Sequence, residues 1–193
     1  MSKPLKQSDL YAQLEALPPN MVGEIIDGEL LAMPRPAARH AVSAASLGIE
    51  IGGPYQRGRG GPGGWIFMNE PELHFGIQVT VPDIAGWRRE RMQSIPEGVA
   101  ITIPPNWVCE VLSPSTEKYD RGAKRRIYLS AGVEYLWLLN PISRVLETFI
   151  ASDDEWKIGP TFASGDTVSA VPFDAISFPI DYLWGDPVAE AES

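Results

Sequence analysis

The chain has 193 residues, a hydrophobic share of 44% and a net charge of −9; this fits a globular protein with a substantial core and excludes a disordered or fibrous one. No apolar run approaches the length that spans a bilayer, and the opening Met-Ser-Lys-Pro-Leu-Lys-Gln stretch lacks the apolar centre of a signal peptide. The lone Cys109 has no partner for an internal disulfide, so the expected compartment is a reducing cytoplasm and the expected thiol a small core residue.

The charge is unevenly spread. Residues 1–126 carry 14 Lys+Arg against 14 Asp+Glu, whereas residues 127–193 carry 2 against 11. The acidity is that of the C-terminal third. Arg57 with Arg59, Arg88 with Arg89 and Arg91, and the stretch from Lys118 to Arg126 form basic clusters able to meet a phosphate backbone, although each alone also reads as solvated surface.

Ser8 reads as the cap of a short helix from Asp9 to about Leu17, which Pro18 and Pro19 stop. Asp27-Gly28 between apolar runs predicts a hairpin, with Pro34 and Pro36 ending its second strand. A helix follows from Ala37 to about Ile51, then a flexible loop from Arg57 to Gly64. That loop is no P-loop, because no Gly-Lys-Ser/Thr follows it. Trp65–Phe67, Glu72–Val81 and Pro82–Trp87 read as strands, and residues 88–105 as irregular. Trp107–Leu112 has the β-branched and aromatic content of a central strand. It leads through Ser113-Pro114-Ser115-Thr116 into a helix from about Glu117 to Ala131, capped by Gly132, and then a strand from Glu134 to Leu139. Arg144–Ile150, Trp156–Phe162 and Thr167–Phe173 read as antiparallel strands. The order gives an α/β fold with a mixed sheet, expected as one domain over residues 1–184 with a frayed acidic tail over 185–193.

Two acids stand out. Glu110 lies inside the central apolar run, where an unpaired carboxylate costs several kcal/mol, so a metal ion or a cationic side chain should compensate it. Asp83 follows Pro82 at a strand entry. If their strands are neighbours, both carboxylates point to one place, a hard oxygen pair suited to Mg²⁺ or Mn²⁺. Helical spacing puts Ala123, Ile127 and Ala131 against the sheet and Asp120, Lys124 and Tyr128 in the adjacent row, from which the Lys124 amine reaches over the strand ends. It would orient an attacking water and stabilise a charged transition state. Read structurally, Glu110 and Lys124 are a buried ion pair, or Lys124 pairs with Asp120 one turn away.

Val-Pro-Asp at 81–83, Val-Cys-Glu-Val-Leu-Ser-Pro-Ser-Thr, Asp-Arg-Gly-Ala-Lys-Arg-Arg-Ile-Tyr and Ala-Gly-Val-Glu-Tyr-Leu-Trp-Leu-Leu-Asn-Pro resemble the Uma-type endonucleases, a bacterial branch of the PD-(D/E)XK nuclease superfamily. Gly-Glu-Ile-Ile-Asp-Gly-Glu-Leu and Arg39-His40 extend the resemblance to roughly residues 22–150. It implies a restriction-endonuclease-like fold, metal-dependent phosphodiester hydrolysis and a dimer. Asp83 and Glu110 would be the metal-binding acids. The superfamily's lysine position holds Leu112 here, so Lys124 would supply the amine from the helix. An accessory role would fall to His40 or Glu24, with Glu50 a further acid on the helix.

The leading expectation is thus a Mg²⁺- or Mn²⁺-dependent endonuclease acting on DNA, with a homodimer as its assembly and no membrane partner. The alternative, favoured by Leu112 and the net acidity, is a degenerate nuclease-fold module that binds nucleic acid or protein.

Overall fold

The structure is a computed structural model and describes residues 7–186; the predicted frayed tail lies, from residue 187 onward, outside the described residues. Helix α1 (Gln7–Glu15) comes first. Ser8 lies within it and not at its cap, its hydroxyl donating to Asp9. Strands β1 (Met21–Ile26) and β2 (Glu29–Pro34) form the predicted hairpin. Asp27 and Gly28 both have positive φ, 52° and 81°, as a type I′ turn demands. Helix α2 (Ala38–Ile51) runs on into a π turn, Gly52–Gln56.

After the glycine-rich loop come β3 (Trp65–Asn69), β4 (Glu72–Phe75), β5 (Gln78–Thr80), β6 (Ile84–Arg88), β7 (Ala100–Ile101) and β8 (Trp107–Val111). The stretch read as a single strand over residues 72–81 is a hairpin, because Gly76 at φ 63° reverses the chain. The next helix has three parts: α3 (Glu117–Tyr119), a π turn (Asp120–Lys124) and α4 (Arg125–Ser130). Gly132 caps it at φ 83°, with Val133 N–H on the Tyr128 carbonyl and Gly132 N–H on that of Leu129, a Schellman motif. Strands β9 (Tyr135–Asn140), β10 (Val145–Ser152), β11 (Glu155–Ala163), β12 (Thr167–Val168) and β13 (Phe178–Pro179) complete the sequence, followed by a 3₁₀ turn, Ile180–Trp184.

Six strands form the main sheet in the order β11-β10-β9-β8-β6-β3, mixed because β8 and β9 run parallel and the rest antiparallel. A second sheet has the order β2-β1-β5-β4-β7. Alternation along β8 divides the core. Trp107, Cys109 and Val111 join Leu47 and Ile51 of α2 on one face, while Val108 and Leu112 join Tyr128 of α4 on the other. Glu110 shares the second face, since side chains two apart in a strand point the same way.

The predicted strand over Thr167–Phe173 stops at Val168. Pro172 has no N–H to give a ladder, and Phe173 instead packs into a ring cluster. Its ring centroid lies 4.8 Å from that of Tyr55, 4.9 Å from Trp107, 5.1 Å from Trp65 and 5.4 Å from Trp137. Burying such a side chain contributes about 1.5–3 kcal/mol, and here it seals the α2 face of the sheet.

Candidate active site

Ile84 of β6 pairs with Cys109 of β8. Asp83 immediately precedes β6, one residue beyond the last pair of that ladder. The Val111 N–H donates to Asp83 Oδ2 (2.7 Å) and fixes the Asp83 carboxylate at the end of β8. Both acids line one cavity of about 290 Å³, together with His40, Asp120, Lys124 and the Ser113–Thr116 loop. A larger cavity of about 640 Å³, by Asp27, His74 and Arg126, holds none of the predicted site residues.

The π turn decides how Lys124 enters. Regular helical spacing predicts Ala123 and Ala131 as the inward row, but both are only half-buried, whereas Asp120, Lys124 and Tyr128 are buried along with Ile127. A π turn holds one more residue than an α turn, so the row predicted at the border turns fully inward. Lys124 Nζ then lies 2.8 Å from Glu110 Oε1, 2.8 Å from Glu24 Oε1 and 3.3 Å from Asp120 Oδ1. Glu24, predicted only as an accessory, is 2% exposed and also accepts from the Val81 N–H (2.7 Å). The Tyr128 hydroxyl donates to Glu110 Oε1 (2.5 Å).

This crowding sets the protonation. Burial raises the Glu110 carboxyl well above its ordinary value, and Asp120, Asp83 and Glu24 add to that against the pull of Lys124. Burial likewise raises Asp120. Burial opposes the charge on Lys124, but Glu110 and Glu24 outweigh it and hold the amine well above its ordinary value, as an ammonium. Burial and Glu110 keep the Tyr128 hydroxyl protonated.

His40, one turn into α2, places Nε2 3.1 Å from Asp83 Oδ1. Burial lowers the proton affinity of its ring, and the hydrogen bond and charge of Asp83 more than offset that, so it rises above the ordinary histidine value. Glu50 does not line the cavity. Arg35 and Glu70 do, with an ion pair of 3.4 Å between them. No sequence signal marks Glu70, whose backbone has φ 48°; Tyr128 was legible as the third member of the Asp120–Lys124 row. Leu112 is 2% exposed within the apolar cluster.

The whole architecture bears on what this site belongs to. A family model named Uma2 and described as putative restriction endonuclease matches residues 9–181. The chain belongs to the Uma2 family. A solved structure of a putative nuclease belonging to DUF820, from Anabaena variabilis ATCC 29413, is similar over 94% of this chain and 98% of that one, with TM-score 0.72 and 19% identity. At that identity the likeness concerns the fold, which is the nuclease-like core expected from the sequence. No curated protein matches the chain.

If this Uma2 chain takes a metal here, the cavity's carboxylates are the residues that could hold it, and oxygen donors suit a hard divalent cation. Three carboxylates, Glu24, Glu110 and Asp120, surround one buried ammonium, and Asp83 lines the same cavity; burial, with the neighbouring acids adding to it, raises the Glu110 and Asp120 carboxyls. Among the described residues, no group of three or more His, Cys, Asp or Glu side chains forms a ready-made cage for a metal ion. Mg²⁺ does not require one, since it typically binds one or two carboxylates and fills its other positions with water and substrate phosphate.

The structure also sorts the basic clusters. Arg88 and Arg91 both pair with Glu134, Arg121 with Glu117 and Glu147, and Arg126 with Asp27. Two of the three predicted phosphate-facing clusters are therefore largely neutralised by neighbours. No helix among the described residues is long and apolar enough to cross a membrane.

Proposed function

We propose that this Uma2 protein is an endonuclease that hydrolyses phosphodiester bonds of DNA, with Mg²⁺ or Mn²⁺ held by Asp83 and Glu110. What supports the reading is that both carboxylates line one cavity, with the Val111 N–H of β8 donating to Asp83 and Lys124 Nζ 2.8 Å from Glu110. The cation, when bound, lowers the pKa of a coordinated water and offsets charge building on the scissile phosphate. Lys124, held as an ammonium, donates hydrogen bonds and positive charge at the phosphate and does not act as the base. Glu24 and Asp120 keep that ammonium in place. Tyr128 fixes one oxygen of Glu110, and His40 with the Val111 N–H fixes the Asp83 carboxylate.

A homodimer belongs to this reading. Strand β11 is an outer edge of the main sheet and carries Ile158 at 78% exposure, an apolar residue a second copy would cover. Light scattering at micromolar concentration reads the assembly directly, and a monomer counts against it.

The second reading is a nuclease-fold binding module in which the Glu24–Lys124–Glu110 cluster is purely structural. It is favoured by the burial of Lys124 among three carboxylates and by Leu112. Calorimetric titration with Mn²⁺ separates the two: binding that disappears in Asp83→Asn supports the nuclease, and no binding at millimolar metal supports the module.

A further inference from the structure

Beside the acidic cavity runs a second depression of about 490 Å³, between α2 with its π turn and the edge strand β3. Asn69 and Ile84 line it, and each is the chain neighbour of a residue lining the acidic cavity, Glu70 and Asp83. Helix α2 borders both, with His40 at one end and Gly48, Gly52 and Gly53 at the other. The two depressions thus lie side by side along α2 and its π turn, at the ends of β3 and β6.

The second depression is open and positively charged. A Cβ placed on Gly48, Gly52 or Gly53 meets nothing within 4 Å, so the helix backbone forms a bare floor. Arg57 and Arg59 form its wall, and both are exposed. Among the described residues, neither has a carboxylate at ion-pair distance, in contrast to Arg88, Arg91, Arg121, Arg126, Arg144 and Lys157. In a chain of net charge −9, two adjacent arginines left without partners beside a bare groove have the chemistry of a polyanion contact.

We infer that this groove carries the sugar–phosphate backbone of duplex DNA away from the acidic cavity, with Arg57 and Arg59 as phosphate contacts. The inference rests on the nuclease reading for the direction of the backbone, but concerns residues outside the Asp83/Glu110/Lys124 cluster. Contacts of this kind add affinity without reading sequence. They also leave a thermodynamic mark, because each neutralised duplex phosphate contributes about 0.9 to the slope of log K against log salt.

The test measures anisotropy of a short fluorescein-labelled DNA duplex, titrated with the full chain in Ca²⁺ over a range of NaCl concentrations. Arg57→Ala/Arg59→Ala should lower the magnitude of the salt slope by about 1.8, two phosphate contacts at the value above. Gly52→Leu, at a helical backbone position with φ −67°, should weaken binding several-fold by standing in the groove. Arg126→Ala, whose guanidinium already pairs with Asp27, should leave the slope unchanged. An unaltered slope in the double variant with unaltered affinity in Gly52→Leu overturns the inference, as does absence of duplex binding by the wild type or an effect confined to RNA. A reduced slope in a protein that cleaves nothing sustains the groove and removes the nuclease reading. Cleavage with an unaltered slope does the reverse.

Discussion

Lys124 Nζ lies 2.8 Å from Glu24 Oε1, so a π turn after the central strand and a hairpin near the start of the chain share one buried ion pair. Glu110 completes the bridge at the same distance from the ammonium. Both sheets are tied together through this point, because Glu24 belongs to β1 and Glu110 to β8. Stability and the proposed catalysis therefore draw on the same side chains.

Removing the ammonium should expose that dependence. Lys124→Ala leaves Glu24, Glu110 and Asp120 buried against one another, and breaking a buried pair costs about 3–5 kcal/mol. Urea unfolding should show a loss of that order. Adding Glu24→Gln to the Lys124→Ala background should recover part of it, because one of the uncompensated charges is gone.

Leu112 provides a contrasting case. It occupies the position where the superfamily resemblance places a lysine, yet it packs in the apolar cluster with Tyr128 and Leu136. Leu112→Lys should destabilise the fold by several kcal/mol, since burying an amine without a partner carries that cost. A variant as stable as the wild type in urea would mean that an amine at 112 finds the carboxylates, and that the helix lysine is not the sole solution open to this scaffold.

His40 predicts the sign of a pH effect. Asp83 holds its folded proton affinity above the ordinary value near 6.5. Below that ordinary value the ring is charged in both states and the His40–Asp83 contribution to stability is fully present. Between it and the raised folded value the native state binds more protons than the unfolded chain, so stability falls as pH rises and the contribution is gone above the folded value. Melting temperature followed across this window should decline in the wild type, and His40→Gln should remove that part of the decline.

Much of this arrangement was legible in the sequence, for identifiable reasons. Glu110 announced itself by interrupting an apolar strand, Asp27-Gly28 by its turn chemistry and Gly132 by its capping position. Three features were not legible. The π turn at Asp120–Lys124 shifts the helical phase, which residue spacing based on a regular helix cannot anticipate. That Arg88 belongs to a paired cluster depends on Glu134, a long-range partner that residue spacing does not reveal. The Phe173 segment satisfies the strand pattern but is drawn out of it by the pocket between Tyr55, Trp65, Trp107 and Trp137, tertiary packing prevailing over local preference.

The central proposal is that Asp83 and Glu110 together serve phosphodiester cleavage, and plasmid nicking by purified protein in Mg²⁺ or Mn²⁺ tests it most directly. The wild type should convert supercoiled DNA to nicked and linear forms. Asp83→Asn and Glu110→Gln should each abolish that conversion while retaining a folded circular-dichroism spectrum. Cleavage that survives both substitutions, or that proceeds undiminished in EDTA, would contradict the account.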